Sequence, residues 1–291
     1  MVAVFPASLA EIVKLVGKGD GIAGINEEIK LDYCLPELRD KPVIGKYLKR
    51  TKKTYWDVLE GIRPKLILDF KVENLHSSDE LYSFAERIGA EVLLLDFLTV
   101  EDLVEGSRLI AEKTGGEFSK LGEFYERHLS RIAEVSESLE EKPKVVMLYR
   151  GINVVTGTNV ISDAVEKAHA ESLGKRLRTE RKVYPLKKED FIRRFNDADH
   201  IFLLTSILTS KEKLEEIRDV MLDSVEWRKV KAVDEGNVHI VGSALDRESF
   251  MRWSPRLIPG IYQIGRLVHG RDFPDWKKPE KELYSLCGVE E

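Results

Sequence analysis

Short, wholly apolar runs alternate with amphipathic stretches twice along this chain, and no other feature restricts its fold as much. In the first hundred residues, "VAVF" (2–5), "GIAGI" (21–25), "PVIG" (42–45), "KLILDF" (65–70) and "EVLLLDF" (91–97) read as buried strands. Between them, "SLAEIVKLVG", "TYWDVLEGI" and "SDELYSFAERIG" carry the three- and four-residue apolar spacing of helices. Ser8 and Glu11 have the spacing of a capping box, in which each satisfies a backbone N–H of the other's turn. After Pro143 the alternation restarts with "KVVMLYR", "ISDAVEKAHAESLG", "KVYPL", "KEDFIRRFN", "HIFLLTS" and a helix through "KEKLEEIRDVML". The segment "EWRKVKAVDEGNVHIVGS" and a helix in "WSPRLIPGIYQIGRLVHG" close it. Buried strands alternating with helices predict parallel sheets built from βαβ units. A weak internal echo joins the halves: "YWDVLEGIRPKLILDF" and "EDFIRRFNDADHIFLL" each place an acidic helix start before a buried strand.

The stretch between the halves has a different period. Phe118, Leu121, Phe124, Tyr125, Leu129, Ile132, Val135 and Leu139 form one apolar stripe, which predicts a single helix over 116–141. At 1.5 Å per residue it would run to roughly 38 Å. The expected architecture is therefore α/β, with two Rossmann-like lobes at 1–115 and 142–291 joined by that helix. Ligands of open parallel sheets bind beyond the carboxyl ends of the strands, which here predicts a cleft between the lobes.

Composition excludes several functions. With 43% hydrophobic and 33% charged residues, the 291-residue chain is globular rather than disordered. Lys and Glu are both abundant and intermixed, a weak sign of a heat-tolerant source. A net charge of −5 argues against nucleic-acid binding, and the basic run "KYLKRTKK" (46–53) reads as a solvated loop or as a rim that attracts anions. Cys34 and Cys287 lie far apart, so they indicate neither a disulfide framework nor a thiolate metal site. No apolar stretch reaches the roughly 18 residues that span a bilayer. "MVAVFPASLAEI" lacks a signal-peptide pattern, which leaves open a cytosolic protein or a leader already removed.

No catalytic constellation emerges. The six histidines, at 76, 128, 169, 200, 239 and 269, show no metal-binding spacing, and packing or surface roles are expected of His128 and His200. GxGxxG, GxxxxGK[ST] and GxSxG are all missing. "TGTN" (156–159) reads as an anion-holding turn or as a simple turn and helix cap. The remaining candidates are aromatic and hydrogen-bonding residues at strand ends: Tyr33, Tyr149, Arg150, Asn153, Thr158, Asn159, Phe250, Arg252, Trp253 and Arg256. Aromatic walls with guanidinium forks suit a bulky, partly apolar, anionic guest. The last four also fit an ordinary helix start, with Ser254 and Pro255 as cap and first-turn residues.

In order and over nearly the whole chain, "VAVFPASLAEIVKLVGKGDGIAGI", "PVIG", "DVLEGIRPKLIL", the long helix with "KPKVVMLY", "TGTNVISDAVEKA", "DADHIFLL", "AVDEGNVHIV" and "WSPRLIPGIYQIGRLVHG" resemble one family. It is the helical-backbone, or class III, substrate-binding proteins of ABC importers, which capture ferric siderophores, haem or cobalamin outside the cytoplasmic membrane. The resemblance implies a monomeric, non-enzymatic, extracytoplasmic receptor whose ligand is an iron chelate and whose partner is a membrane permease. It implies no resident cofactor, and a metal chelate in place of a free metal ion. It also implies an acidic docking residue on each lobe, for which Asp57 and then Glu189 or Asp190 stand near the right positions; a charged helix start favoured by the helix dipole fits them equally. The sequence departs from the family at Lys65 and Ala198, where an Asp and a Pro are usual. The alternatives are a cobalamin or haem receptor of the same fold, or a two-lobed enzyme of chelatase or nitrogenase-like fold acting on a tetrapyrrole or metal centre.

Overall fold

A computed structural model describes residues 1–32, 34–46, 53–71, 76–205, 211–242 and 252–289. Tyr33, Phe250 and positions 47–52 of the basic run lie outside the described residues. The chain divides into two compact units. Met1–Phe97, Glu101–Phe124 and Leu283–Glu291 form the first; Leu98–Val100 and Tyr125–Glu282 form the second.

The first unit contains β1 (Val2–Val4), α1 (Ala7–Leu15), β2 (Ile22–Asn26), β3 (Val43–Lys46), β4 (Lys53–Thr54), α2 (Trp56–Ile62), β5 (Leu66–Phe70), α3 (Ser78–Ile88), β6 (Glu91–Leu95) and, from its second residue, α4 (Val100–Thr114). Its sheet has the order β4-β3-β2-β1-β5-β6, parallel except for β4 at the edge. Ala3, Phe5, Ile44 and Ile67 from the sheet pack against Leu59 of α2 and Leu81 and Phe84 of α3. The capping box forms at Ser77 and Glu80, where Glu80 N donates to Ser77 Oγ (3.1 Å) and Ser77 N to Glu80 Oε2 (2.9 Å). It does not form at Ser8 and Glu11: Pro6 is the cap of α1, and both residues are buried inside the helix.

Helix α5 (Ser119–Glu137) begins in the first unit and continues into the second. At 19 residues it is shorter than the expected span, about 28 Å long. Gly115, at φ 68°, is the reason at the amino end: Gly116 N donates to Ala111 O (2.7 Å) and Gly115 N to Glu112 O (3.2 Å), a double closure that ends α4 and breaks the run. Helix α4 itself was not expected from the sequence. Leu121, Phe124, Tyr125, Ile132 and Val135 form the buried stripe of α5.

The second unit holds β7 (Lys144–Tyr149), β8 (Asn153–Val155), α6 (Val160–Lys167), β9 (Glu171–Ser172), β10 (Val183–Pro185), α7 (Lys188–Phe195), β11 (His200–Leu204), α8 (Lys211–Asp223), α9 (Lys231–Asp234), β12 (Val238–Val241) and α10 (Leu257–His269). Helix α11 (Lys277–Leu286), also unforeseen, starts in this unit and ends in the first. The sheet order is β10-β8-β7-β11-β12, with β9 beside β7. β7, β9, β11 and β12 are parallel, whereas β8 folds back antiparallel on β7 and β10 pairs antiparallel with β8. The second sheet is thus mixed where a parallel one was expected. Arg150 (φ 51°) and Gly151 (φ 89°) lie in the three-residue loop between Tyr149 and Asn153 that makes the reversal. The internal echo has a structural counterpart: β5 pairs with β1 just as β11 pairs with β7.

Candidate functional site

The hairpin separates the candidates of the second unit into two groups. Tyr149, Arg150 and Asn153 sit at the β7–β8 turn. The Arg150 guanidinium lies 4.7 Å from the centroid of the Tyr149 ring, and Asn153 Nδ2 donates to Arg150 O, which fixes the turn. "TGTN" follows β8, and three strand residues place it some 7–10 Å away along the hairpin.

That second group is centred on Asn159. It caps α6, accepting from Ile161 N (3.1 Å), and the same oxygen accepts from Trp253 Nε1 (3.0 Å). Its amide nitrogen donates to Lys182 O (3.2 Å), so this 2% exposed side chain is occupied in holding three segments together. Thr158 Oγ1 is 3.0 Å from Thr156 Oγ1 and donates to Arg181 O (3.2 Å). "TGTN" is therefore a turn and a helix cap, and it anchors an aromatic ring. The Lys182 ammonium lies 5.5 Å from the centroid of the Trp253 ring, a cation over an aromatic face that sequence reading missed because the two residues are remote in the chain.

Around Trp253 the structure distinguishes the two arginines. Arg252 is half-buried, whereas Arg256 is 1% exposed and lies in the protein interior, not on a surface open to an anion. Ser254 does not cap α10, whose N-cap position is Arg256 without a side-chain cap bond; it closes the turn ahead of the helix, its Oγ accepting from Arg256 N (3.3 Å) and its carbonyl from Leu257 N (2.9 Å).

The carboxyl ends of the first unit's strands carry a cluster not anticipated from the sequence. His76 Nε2 is 3.2 Å from Asp69 Oδ2, its Nδ1 is 2.9 Å from Thr54 Oγ1, and the imidazole and carboxylate side chains are 4% and 8% exposed. Phe5 packs edge-on against the imidazole, centroids 4.8 Å apart, and Trp56 at 5.4 Å. Burial pushes the Asp69 carboxyl above its ordinary range, against the hydrogen bond and charge of His76. The available signal was a lone carboxylate near the end of the apolar run "KLILDF". An acid–imidazole–hydroxyl chain can relay a proton, but this one is closed in by aromatic rings.

The other histidines pack, as expected of His128 and His200. His128 Nε2 is 3.0 Å from Glu282 Oε2 and Nδ1 is 3.3 Å from Tyr262 Oη, whose phenol burial pushes up to about 12. His200 Nδ1 is 3.1 Å from His239 Nε2 with the rings stacked. Burial pushes His239 down to about 4, helped by the charge of His200. Among the described residues no three His, Cys, Asp or Glu converge as metal ligands.

The acidic candidates fall at helix starts. Asp57 is the second residue of α2 and Glu189 the second of α7, and both are exposed. These two helices precede the equivalent strands β5 and β11, so Glu189 is the counterpart of Asp57. Asp190 is ion-paired with Arg193 on its own helix. An open groove of about 590 Å³ runs along Trp56, Asp79, Glu80, Ser83, Phe84 and Arg87.

Neither a protein-family model nor a curated protein matches the sequence. Solved structures do. Helicobacter pylori CeuE in a nickel–histidine complex aligns with a TM-score of 0.76 at 16% identity, over 98% of this chain and 89% of that one. A possible iron-binding, periplasmic solute-binding protein from Staphylococcus epidermidis gives 0.70 at 18% identity, over 92% and 98%. The periplasmic haem-binding protein HutB of Vibrio cholerae gives 0.68 at 17% identity, over 92% and 99%. The chain has the solute-binding-protein fold. Its likeness to these proteins extends over almost the full length of each chain.

Proposed function

We propose that this protein is the substrate-binding component of an ABC importer, working outside the cytoplasmic membrane without catalysis of its own. The observation that carries the reading is the near full-length likeness to solute-binding proteins whose names specify iron, haem and nickel–histidine. In support, Tyr149 with Arg150 and Trp253 with Lys182 each offer a cation over an aromatic face. Fixed positive charge beside π-surface suits an anionic, aromatic-bearing guest, and we take a ferric siderophore-like chelate as the cargo. Haem and cobalamin are the competing cargoes of the same surface chemistry. A bare ion fits less well, because no three ligating side chains converge among the described residues. Asp57 and Glu189 would meet basic pockets of the permease, having the same position on equivalent helices. The protein would act as a monomer.

Titrating intrinsic Trp fluorescence with ferric siderophores, haem, cobalamin and free metal ions tests this. The expected result is saturable quenching by one chelate at micromolar concentration or below, lost in Trp253→Phe. Silence from a folded protein across the whole panel would sink the reading.

A further inference from the structure

We propose that Cys34 and Cys287 form a disulfide that fastens the end of α11 to the segment after β2. They are the two cysteines of the chain and stand near its opposite ends, yet the fold places them in one small cluster with Tyr284, against which Leu15 and Val289 pack. They are 0% and 2% exposed, and both are free thiols in this structure. A thiol that far from solvent is badly placed to serve as a nucleophile, so the pair is better explained as a cross-link than as reactive groups.

Both backbones are fixed where the cysteines sit. Cys34 N donates to Asp32 Oδ1 (2.8 Å) and Cys34 O accepts from Lys14 Nζ (2.6 Å), a lysine also paired with Glu37. On the other side, Cys287 N donates to Leu283 O (3.0 Å). The helix then closes through Gly288 at φ 69°, with Gly288 N bonded to Ser285 O (3.0 Å) and Val289 N to Tyr284 O (3.0 Å). This double closure sets Cys287 at the last turn facing the cluster. Bond formation requires Cα atoms within about 7 Å and facing Cβ vectors, a closeness that shared membership of one small apolar cluster favours. With no third cysteine in the chain, no wrong pairing competes.

The chemistry is thiol–disulfide exchange with a small-molecule or protein disulfide as oxidant. One cysteine thiolate attacks the oxidant to give a mixed disulfide and release one thiol. The second cysteine thiolate then displaces the other, so two electrons and both thiol protons pass to the oxidant. Burial dictates that this occurs during folding, and that a reductant reaches the finished bond only when the region opens. The bond would close a covalent loop containing the entire second unit, and long loops restrict the unfolded chain most.

This inference does not rest on the transport reading. The full chain is refolded in mixed oxidised and reduced glutathione, denatured, alkylated without added reductant and weighed intact. Expected are no alkylated cysteines, a mass two daltons below the reduced chain, and a proteolytic peptide joining Cys34 to Cys287. Melting should fall by roughly 5–15 °C on reduction, to the value of a Cys34→Ala, Cys287→Ala double variant, which itself ignores reductant. Two alkylated cysteines, a disulfide between chains, or equal melting of oxidised and reduced protein would each overturn the proposal.

Discussion

The strand ends of the two units are finished in opposite ways. In the first, Asp69, His76 and Thr54 satisfy one another under Phe5 and Trp56, a titratable chain sealed from solvent. In the second, cationic side chains lie over aromatic faces, Arg150 on Tyr149 and Lys182 on Trp253. Buried titratable groups hold structure, because removing one partner strands the other in a medium that solvates it poorly. Partly open fixed charges do little for stability, and their cost in ordering is repaid only when something binds them. The same strand–helix logic thus yields one end closed by its own side chains and one left partly open.

The contrast fails first if Asp69→Ala is mild. That variant should lose about 3 kcal/mol of unfolding free energy in a urea titration, through the stranded His76. If stability holds while chelate affinity falls, the cluster belongs to recognition instead. Trp253→Ala should do the reverse, weakening the chelate found by fluorescence roughly tenfold in calorimetry while unfolding stays close to wild type. Asn159→Ala mixes the two roles: loss of the α6 cap costs about 1 kcal/mol, and release of the indole costs part of the affinity.

The smallest effect concerns pH. His239 titrates near 4 in the folded protein against an ordinary 6.5, so the unfolded chain binds the extra proton first. Its contribution is complete above 6.5 and drains away as pH falls toward about 4. Melting temperatures of His239→Phe measured at pH 7.5 and 5 should differ less than those of wild type.

The buried strands were legible because each is a short apolar run with nothing else to become. The hairpin β7–β8 was not, because its turn uses Arg150 at positive φ where Asn or Gly would have announced it. Helix α11 has a short buried stripe, Pro279, Leu283 and Tyr284, continued by Cys287 just beyond it, which the charged residues between them in "KKPEKELYSL" obscured. At the candidate site, Trp253 and Arg150 stood out as large side chains in suggestive company. Lys182 did not, since only the fold brings it to Trp253. Burial, too, is a tertiary fact: Arg252 and Arg256 look alike in sequence, and only the latter is enclosed.

The return of Leu283–Glu291 to the first unit orders events on the ribosome. Apart from Leu98–Val100, the second unit is one unbroken stretch, Tyr125–Glu282, and is complete before the ribosome reaches the segment that the first unit still lacks. The domain begun first is therefore finished last. A nascent chain stalled after Glu282 would contain every residue of the second unit while lacking Leu283, Tyr284 and Cys287 of the first.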